Sequence, residues 1–218
     1  MEHKAYPKWQ KALDFSAVAA FALLTGLFIN SGVSAFSEAN RVTEFLAAKI
    51  LIAAFLAWLS ADFASGFVHF LADNFGNPDT PFFGKVFIYA FREHHVDPKA
   101  ITRHSFVETN GANCLVSLPP MVYIWFATSA TEDYLLRAYF ALFFVSIFLT
   151  NQIHKWSHMD SPPRFVGALQ RAHVILPVAH HAVHHAAPHD KYYCITCGWL
   201  NAPLERLHFF QTIRKLLK

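Results

Sequence analysis

Four runs of the chain are apolar over a length that a bilayer would select: 15–33, 45–66, 114–130 and 134–153. Crossing the hydrocarbon core takes about 20 such residues, so each run is read as a transmembrane helix. The third contains Pro119 and Pro120. Two missing backbone donors in a row should kink that helix or leave part of it loosely wound. Between the second and third runs lies a polar loop, 74–109, and after the fourth a tail, 160–218, cut into short pieces by Pro162, Pro163, Pro177, Pro188 and Pro203. The last piece, 203–218, alternates Leu, Phe and Ile with Arg and Lys in helical fashion and is expected to lie on the membrane surface. The pattern therefore predicts an all-α integral membrane bundle of about four transmembrane helices, one domain over 1–218, capped by the loop and tail. The opening MEHKAYPKWQ leads into the first run with no small-residue cleavage site after it, so that run is expected to stay as an anchor. So short a leader also argues against a plastid transit peptide.

Composition agrees, with 54% hydrophobic and 15% charged residues among 218. That is rich for a soluble single domain. The net charge of +3 is modest and the basic residues are scattered, which excludes a nucleic-acid partner and favours lipid headgroups. Cytoplasmic flanks are enriched in Lys and Arg. With the amino terminus inside, Lys4, Lys8 and Lys11, then Lys85, Arg92, Lys99 and Arg103, and every basic residue after the fourth run share the cytoplasmic side, 15 of the 18. Arg41, Lys49 and Arg137 are the exceptions. The expected location is a bacterial inner membrane, or the endoplasmic reticulum in a eukaryote.

Charge alone sets this orientation, yet it also sorts the 14 histidines, none of which falls on the far side. His69 and Asp73 are four residues apart, as are His154 and His158, His180 and His184, and His181 and His185, so each pair can share a helix face. His94 and His95 are adjacent in FREHH, where a helix end could aim both inward. A lone interfacial histidine is usually a satisfied polar side chain. A group on one membrane face points instead to metal, since ionisable groups near a bilayer are costly and mark function. Imidazole suits Fe, Cu or Zn, and an added carboxylate favours iron. One zinc needs four ligands, so this many candidates argue for two metals, leaving hydrolysis and oxygen chemistry both open. Soluble di-iron bundles use paired Glu-x-x-His motifs, and only Glu205 to His208 has that form. Cys194 and Cys197 make a CITC without the second half of a zinc site, and three cysteines give no disulfide framework. A bis-histidine haem electron carrier would use about two to four of the histidines and leave the others unexplained. A metal transporter would need polar residues along its spans. The 23 phenylalanines read as core and lipid contact.

HAVHH, HKWSH and HFLAD in a membrane chain resemble the histidine boxes of membrane desaturases. The strings DFASGFVHFLADNFG, FREHHVDPKAITRHSFVETNG, HKWSHM, HVILPVAHHAVHHAAPHDKYYCITCGWLN and PLER, in this order, resemble the lipid desaturase family that includes plasmanylethanolamine desaturase and the plastid phosphatidylglycerol acyl desaturases. The resemblance covers about 62–206. It implies two Fe2+ ions held by His69, Asp73, His94, His95, His154, His158, His181, His184 and His185, with His180 beside them. His104 and His173 are expected next to the ligands or toward the substrate. Asp62 shares the helical stripe of Gly66, His69 and Asp73, and is expected either to accept a proton from a ligand imidazole or to serve helix packing. Gly66 is expected to admit a neighbouring helix. FREHH departs from HxxHH by having Phe91 in its first position, and Asp73 is expected to make up that ligand. The implied reaction converts a 1-O-alkyl ether phospholipid to its 1'-alkenyl form with O2, with acyl-chain desaturation of phosphatidylglycerol as the rival. O2 takes four electrons and the new double bond supplies two. No G-x-G-x-x-G fingerprint for a bound flavin or nicotinamide is present. A separate donor is therefore implied, cytochrome b5 or a ferredoxin with its reductase.

Overall fold

The computed structural model describes residues 6–38, 46–81, 84 and 88–217. Lys4, Arg41, Lys85 and Lys218 of the charge argument lie outside the described residues. Among those described, the chain is all helix and turn, with no strand. Four long helices, α1 (Lys8–Glu38), α2 (Leu46–Asn74), α5 (Phe106–Ala127) and α6 (Tyr134–Ser157), are joined and capped by short ones. These are α3 (Tyr89–Val96), α4 (Ala100–Arg103), α7 (Arg164–Arg171), α8 (Val178–His184), α9 (Asn201–Arg206) and α10 (Phe209–Leu216).

At about 1.5 Å per residue, the 29 residues of α2 reach about 44 Å and the 24 of α6 about 36 Å. A hydrocarbon core is about 30 Å thick, so both helices are longer than is needed to cross it. The segment Lys8–Gly32 and the whole of α2 and α6 are long and apolar enough to cross a membrane. The remaining long helix, α5, is different in kind. It starts at Phe106 rather than 114 because Ser105 and Glu108 form a capping box, and its first turns therefore bring in Glu108, Asn110 and Asn113. It is held by burial against α1 and α6, with Thr109, Asn110, Gly111, Cys114, Ser117 and Met121 turned inward. The helix runs through Pro119 and Pro120 to Ala127. The proline pair removes two backbone donors without ending it.

The central helix is α6, packed on α1, α2 and α5. Ala17, Phe21, Phe28, Cys114, Met121 and Phe144 fill the α1–α5–α6 core, while Phe15, Leu51, Ile52, Phe55 and Phe126 stand exposed on the flanks, where lipid would meet them. At the end remote from the histidines, Arg137 donates to Thr128 Oγ1 (2.9 Å), Ser31 Oγ (2.7 Å), the Trp125 carbonyl (2.9 Å) and the Thr128 carbonyl. One buried guanidinium thus satisfies the carbonyls that α5 leaves open at its terminus.

At the opposite end, Ile153, Val166, Ile175, Leu176 and Ile195 form one small core and Phe70, Tyr193 and Phe210 another. The surface helix expected over 203–218 is broken. α9 ends at Arg206, His208 takes a left-handed conformation with φ 48°, and α10 then turns Phe210 onto Phe70 and Tyr193 at ring distances of 5.1 and 5.0 Å. Part of its apolar face is therefore internal, leaving Leu207, Leu216 and Leu217 exposed.

Candidate metal centre

Of the long helices, α2 and α6 carry side chains of metal-binding type at their carboxyl ends. α2 carries His69 and Asp73 four residues apart, and α6 carries His154 with His158 as its cap. The short α3 ends on His94 and His95, held against α2 by Arg92, which donates to the carbonyls of Ala72 (3.3 Å), Phe75 (3.2 Å) and Gly76 (2.9 Å). The Ala72 carbonyl is in the last turn of α2, where carbonyls have no helical partner, and the other two lie just past its end. α8 brings His181 and His184, with His185 capping it.

Two pockets result, sharing His94. In the first, the Nε2 atoms of His154, His158 and His181 form a triangle with sides of 2.9, 3.1 and 3.0 Å, and His185 Nε2 lies 3.1 Å from His181 Nε2. A neutral imidazole has one N–H, so three nitrogens facing one another cannot all be satisfied by hydrogen bonds. A cation relieves the conflict. With nitrogen ligands about 2.1 Å from a metal, two at right angles stand about 3.0 Å apart, which is the spacing found. In the second pocket Asp73 Oδ2 lies 3.4 Å from His69 Nε2, 3.1 Å from His95 Nε2 and 3.5 Å from His184 Nε2. His94 lies within 4.8 Å of the ligand atoms of both groups, its Nε2 buried without a hydrogen-bond partner. His69 Nε2 and Asp73 Oδ1 are likewise buried and unpartnered. Orphaned donors and acceptors of this kind are rare in native interiors. Their convergence fits metal binding.

Electrostatics points the same way. Burial, and then the neighbouring His154, holds His94 and His181 well below the usual imidazole range. Burial followed by Lys99 lowers His158 to about 4, and burial followed by His158 lowers His185 to about 2. Neutral imidazole is the form that ligates a metal. Some of the other ring nitrogens are fixed by the backbone: His69 Nδ1 donates to the Tyr193 carbonyl at 3.2 Å and His184 Nδ1 to the Lys191 carbonyl at 2.8 Å. That leaves Nε2 of each with its lone pair toward the pocket.

The structure thus brings together His69, Asp73, His94, His95, His154, His158, His181, His184 and His185, and leaves out His180. At about 100° per residue, His181, His184 and His185 share one arc of α8 while His180 lies to the side. His180 Nε2 meets Asn201 Nδ2 at 3.1 Å and its ring stacks on Tyr192 at 4.9 Å. Asp62 also differs from expectation. Its carboxylate receives the backbone N–H groups of Thr196, Cys197, Gly198 and Leu200 rather than an imidazole. Gly66 admits a loop and not a helix, since a Cβ there would stand 2.4 Å from Cys194 Sγ. His104 Nε2 lies 3.9 Å from Glu108 Oε1, and His173 is a left-handed turn residue whose carbonyl accepts from Trp199 Nε1. The thiols of Cys194 and Cys197 are pushed up by burial and by Asp62 and stay protonated, outside both metal groups. His189 joins the rim, its ring 4.7 Å from that of His95. It was not singled out in the sequence because it falls just past the HHAVHH run.

A family profile described as lipid desaturase domain matches residues 58–218. The chain belongs to the lipid desaturase family. It is 53% identical over 170 residues to plasmanylethanolamine desaturase of Myxococcus xanthus, covering 77% of this chain and 60% of that protein. With plasmanylethanolamine desaturase 1 of Mus musculus it shares 49% over 167 residues, covering 73% and 62%. With fatty acid desaturase 4, chloroplastic, of Arabidopsis thaliana it shares 31% over 166 residues, covering 74% and 50%. The matched stretch therefore spans about three fifths of the two nearer relatives. No solved structure matches. The matched profile begins within α2 and so includes every side chain of the two pockets in this lipid desaturase domain, and three spanning helices make the chain a membrane protein.

Proposed function

We propose that the chain is an O2-dependent lipid desaturase that takes two hydrogens from the 1-O-alkyl chain of plasmanylethanolamine, leaving the 1'-alkenyl vinyl ether of a plasmalogen. The observation that carries this reading is a pair of adjoining, buried histidine pockets, one of them holding a carboxylate, in a chain 53% identical to a protein named for that reaction. Two Fe2+ ions bound there would supply, with O2, the oxidising power to break unactivated C–H bonds.

His69, His95, His184 and Asp73 would hold one ion and His154, His158, His181 and His185 the other, with His94 between them. Asp73 would take the place left by Phe91, whose ring lies 5.0 Å from His69. Burial of His69, His94, His154, His181 and His184 keeps bulk water from the ligands, so that the reaction is directed at the lipid. The pockets lie at the carboxyl ends of α2 and α6, each longer than a hydrocarbon core is thick. A site at a helix end, at the membrane boundary, would suit the first carbons of a lipid chain, beside the glycerol, better than carbons near the bilayer centre. The basic residues of the cap support a cytoplasmic orientation, in a bacterial inner membrane or endoplasmic reticulum, within reach of a soluble or peripheral donor. That donor, a cytochrome b5 or a ferredoxin with its reductase, would deliver two electrons per turnover.

Acyl desaturation of phosphatidylglycerol is the second reading, favoured by the more distant likeness, at 31% identity, to the chloroplast fatty acid desaturase. The two separate in vesicles holding iron-loaded protein, O2, a reducing system and both lipids. The expected outcome is loss of two hydrogens from plasmanylethanolamine alone. Desaturation of phosphatidylglycerol alone would replace the first reading with the second.

A further inference from the structure

Asp62 is fully buried in α2, about two turns before the metal-facing His69. Its Oδ1 accepts from the backbone N–H groups of Thr196 (3.2 Å), Cys197 (2.9 Å) and Gly198 (2.8 Å), and its Oδ2 from Leu200 (3.1 Å). Three residues on, Ser65 Oγ accepts from Ile195 N at 3.0 Å. Gly66, without a side chain, lets Cys194 lie directly against the helix. Residues 62, 65 and 66, then 69 and 73, form one stripe of a helix. The first half of that stripe grips a turn of the tail, and the second half faces the metal pockets.

The gripped segment leads back to the pockets. Its preceding residues supply the two carbonyls, of Lys191 and Tyr193, that accept from His184 Nδ1 and His69 Nδ1. Both of those imidazoles belong to the Asp73 pocket. In the other pocket, His181 Nδ1 and His185 Nδ1 are buried with no hydrogen-bond partner, as His95 Nδ1 is in the Asp73 pocket, so backbone carbonyls fix two imidazoles of the Asp73 pocket and neither of this pair. The two pockets are therefore supported unequally.

We infer that Asp62 is a positioning residue for the Asp73 pocket alone: by clamping the 194–200 turn to α2 it fixes the Lys191 and Tyr193 carbonyls, and these hold His184 and His69 in the tautomer that presents Nε2 to the metal. The inference rests on the two-metal reading above. A carboxylate can accept all four N–H groups, whereas the amide of Asp62→Asn turns a donor toward one of them. Loss of such supporting contacts typically weakens metal binding by about 10–100-fold.

The test follows iron release from purified, Fe2+-loaded full-length protein to a ferrous chelator. Wild type is expected to carry two irons per chain. Asp62→Asn should release one of them about 10–100-fold faster while the other leaves at the wild-type rate, and Ser65→Ala should show the same split more weakly. Ser65→Ala keeps the question answerable if Asp62→Asn fails to fold. Wild-type rates for both irons in the variants would overturn the inference and leave the two-metal reading standing. So would acceleration of both irons together, the mark of general destabilisation. A wild-type chain that binds fewer than two irons would overturn both.

Discussion

His180 and His181 are neighbours in the chain and part company in space. The first lies beside Asn201 and Tyr192, and the second meets His154 and His158 at hydrogen-bond distance. Helical spacing alone treats both as ligands, because it counts residues four apart without knowing which arc faces the partner helices. The difference gives a sharp expectation. His158→Ala and His181→Ala each remove a corner of the nitrogen triangle and should cut activity by more than about 100-fold, beyond the usual effect of disturbing a supporting contact. His180→Ala should keep the full metal complement and most of the activity. Iron analysis beside lipid assays of the three variants checks this, and equal metal loss from His180→Ala would show that the side chains are assigned to the wrong pocket. Most of the clustered side chains were legible because metal chemistry is written in residue types. The carbonyls of Lys191 and Tyr193 were not, since every residue carries one and only the fold says where it points. For the same reason the sequence leaves Asp62 between an imidazole partner and a helix-packing role: it shows the stripe but not the turn that occupies it.

Among the elements, the apolar runs located α1, α2 and α6 well, because hydrocarbon thickness imposes their minimum length. α5 was harder. Its apolar residues begin late, and its true start is set by the S-x-x-E signal at Ser105 and Glu108, a hydrogen-bonding cue that hydropathy passes over. Ser105→Ala should destabilise the protein by about 1 kcal/mol, measured by denaturant titration in mixed micelles, with the metal content unchanged. A larger price attaches to the α2–tail contact. Gly66→Ala places a methyl 2.4 Å from Cys194 Sγ and 3.1 Å from its backbone. The tail must shift, and overpacking of this kind costs about 1–3 kcal/mol. The same titration should register that loss; no change would mean that the turn at Cys194 is free to yield. The proline pair in α5 is expected to kink the helix or leave it loosely wound, and the helix continues through it to Ala127.

At the scale of the whole molecule, the bundle works as a scaffold with two unlike ends. One end is closed by Arg137 across the termini of α1, α5 and α6. At the other, the carboxyl ends of α2 and α6 bring their histidines to the short helices of the cap. The gathering of histidines at one end was visible in the sequence as agreement between charge and spacing. The break at His208, which folds the last helix back onto Phe70, was not, since a left-handed histidine leaves no signature in a hydropathy pattern. The central claim is that this end desaturates an ether lipid. Its most direct test is expression in cells that make plasmanylethanolamine, lack their own desaturase and contain a competent electron donor, followed by mass spectrometry of the lipids before and after mild acid. Wild-type protein should produce acid-labile species lighter than their plasmanyl parents by two hydrogens, and His158→Ala should produce none. Unchanged plasmanyl lipids, in cells where the wild-type protein is iron-loaded and the donor is active, would contradict the account.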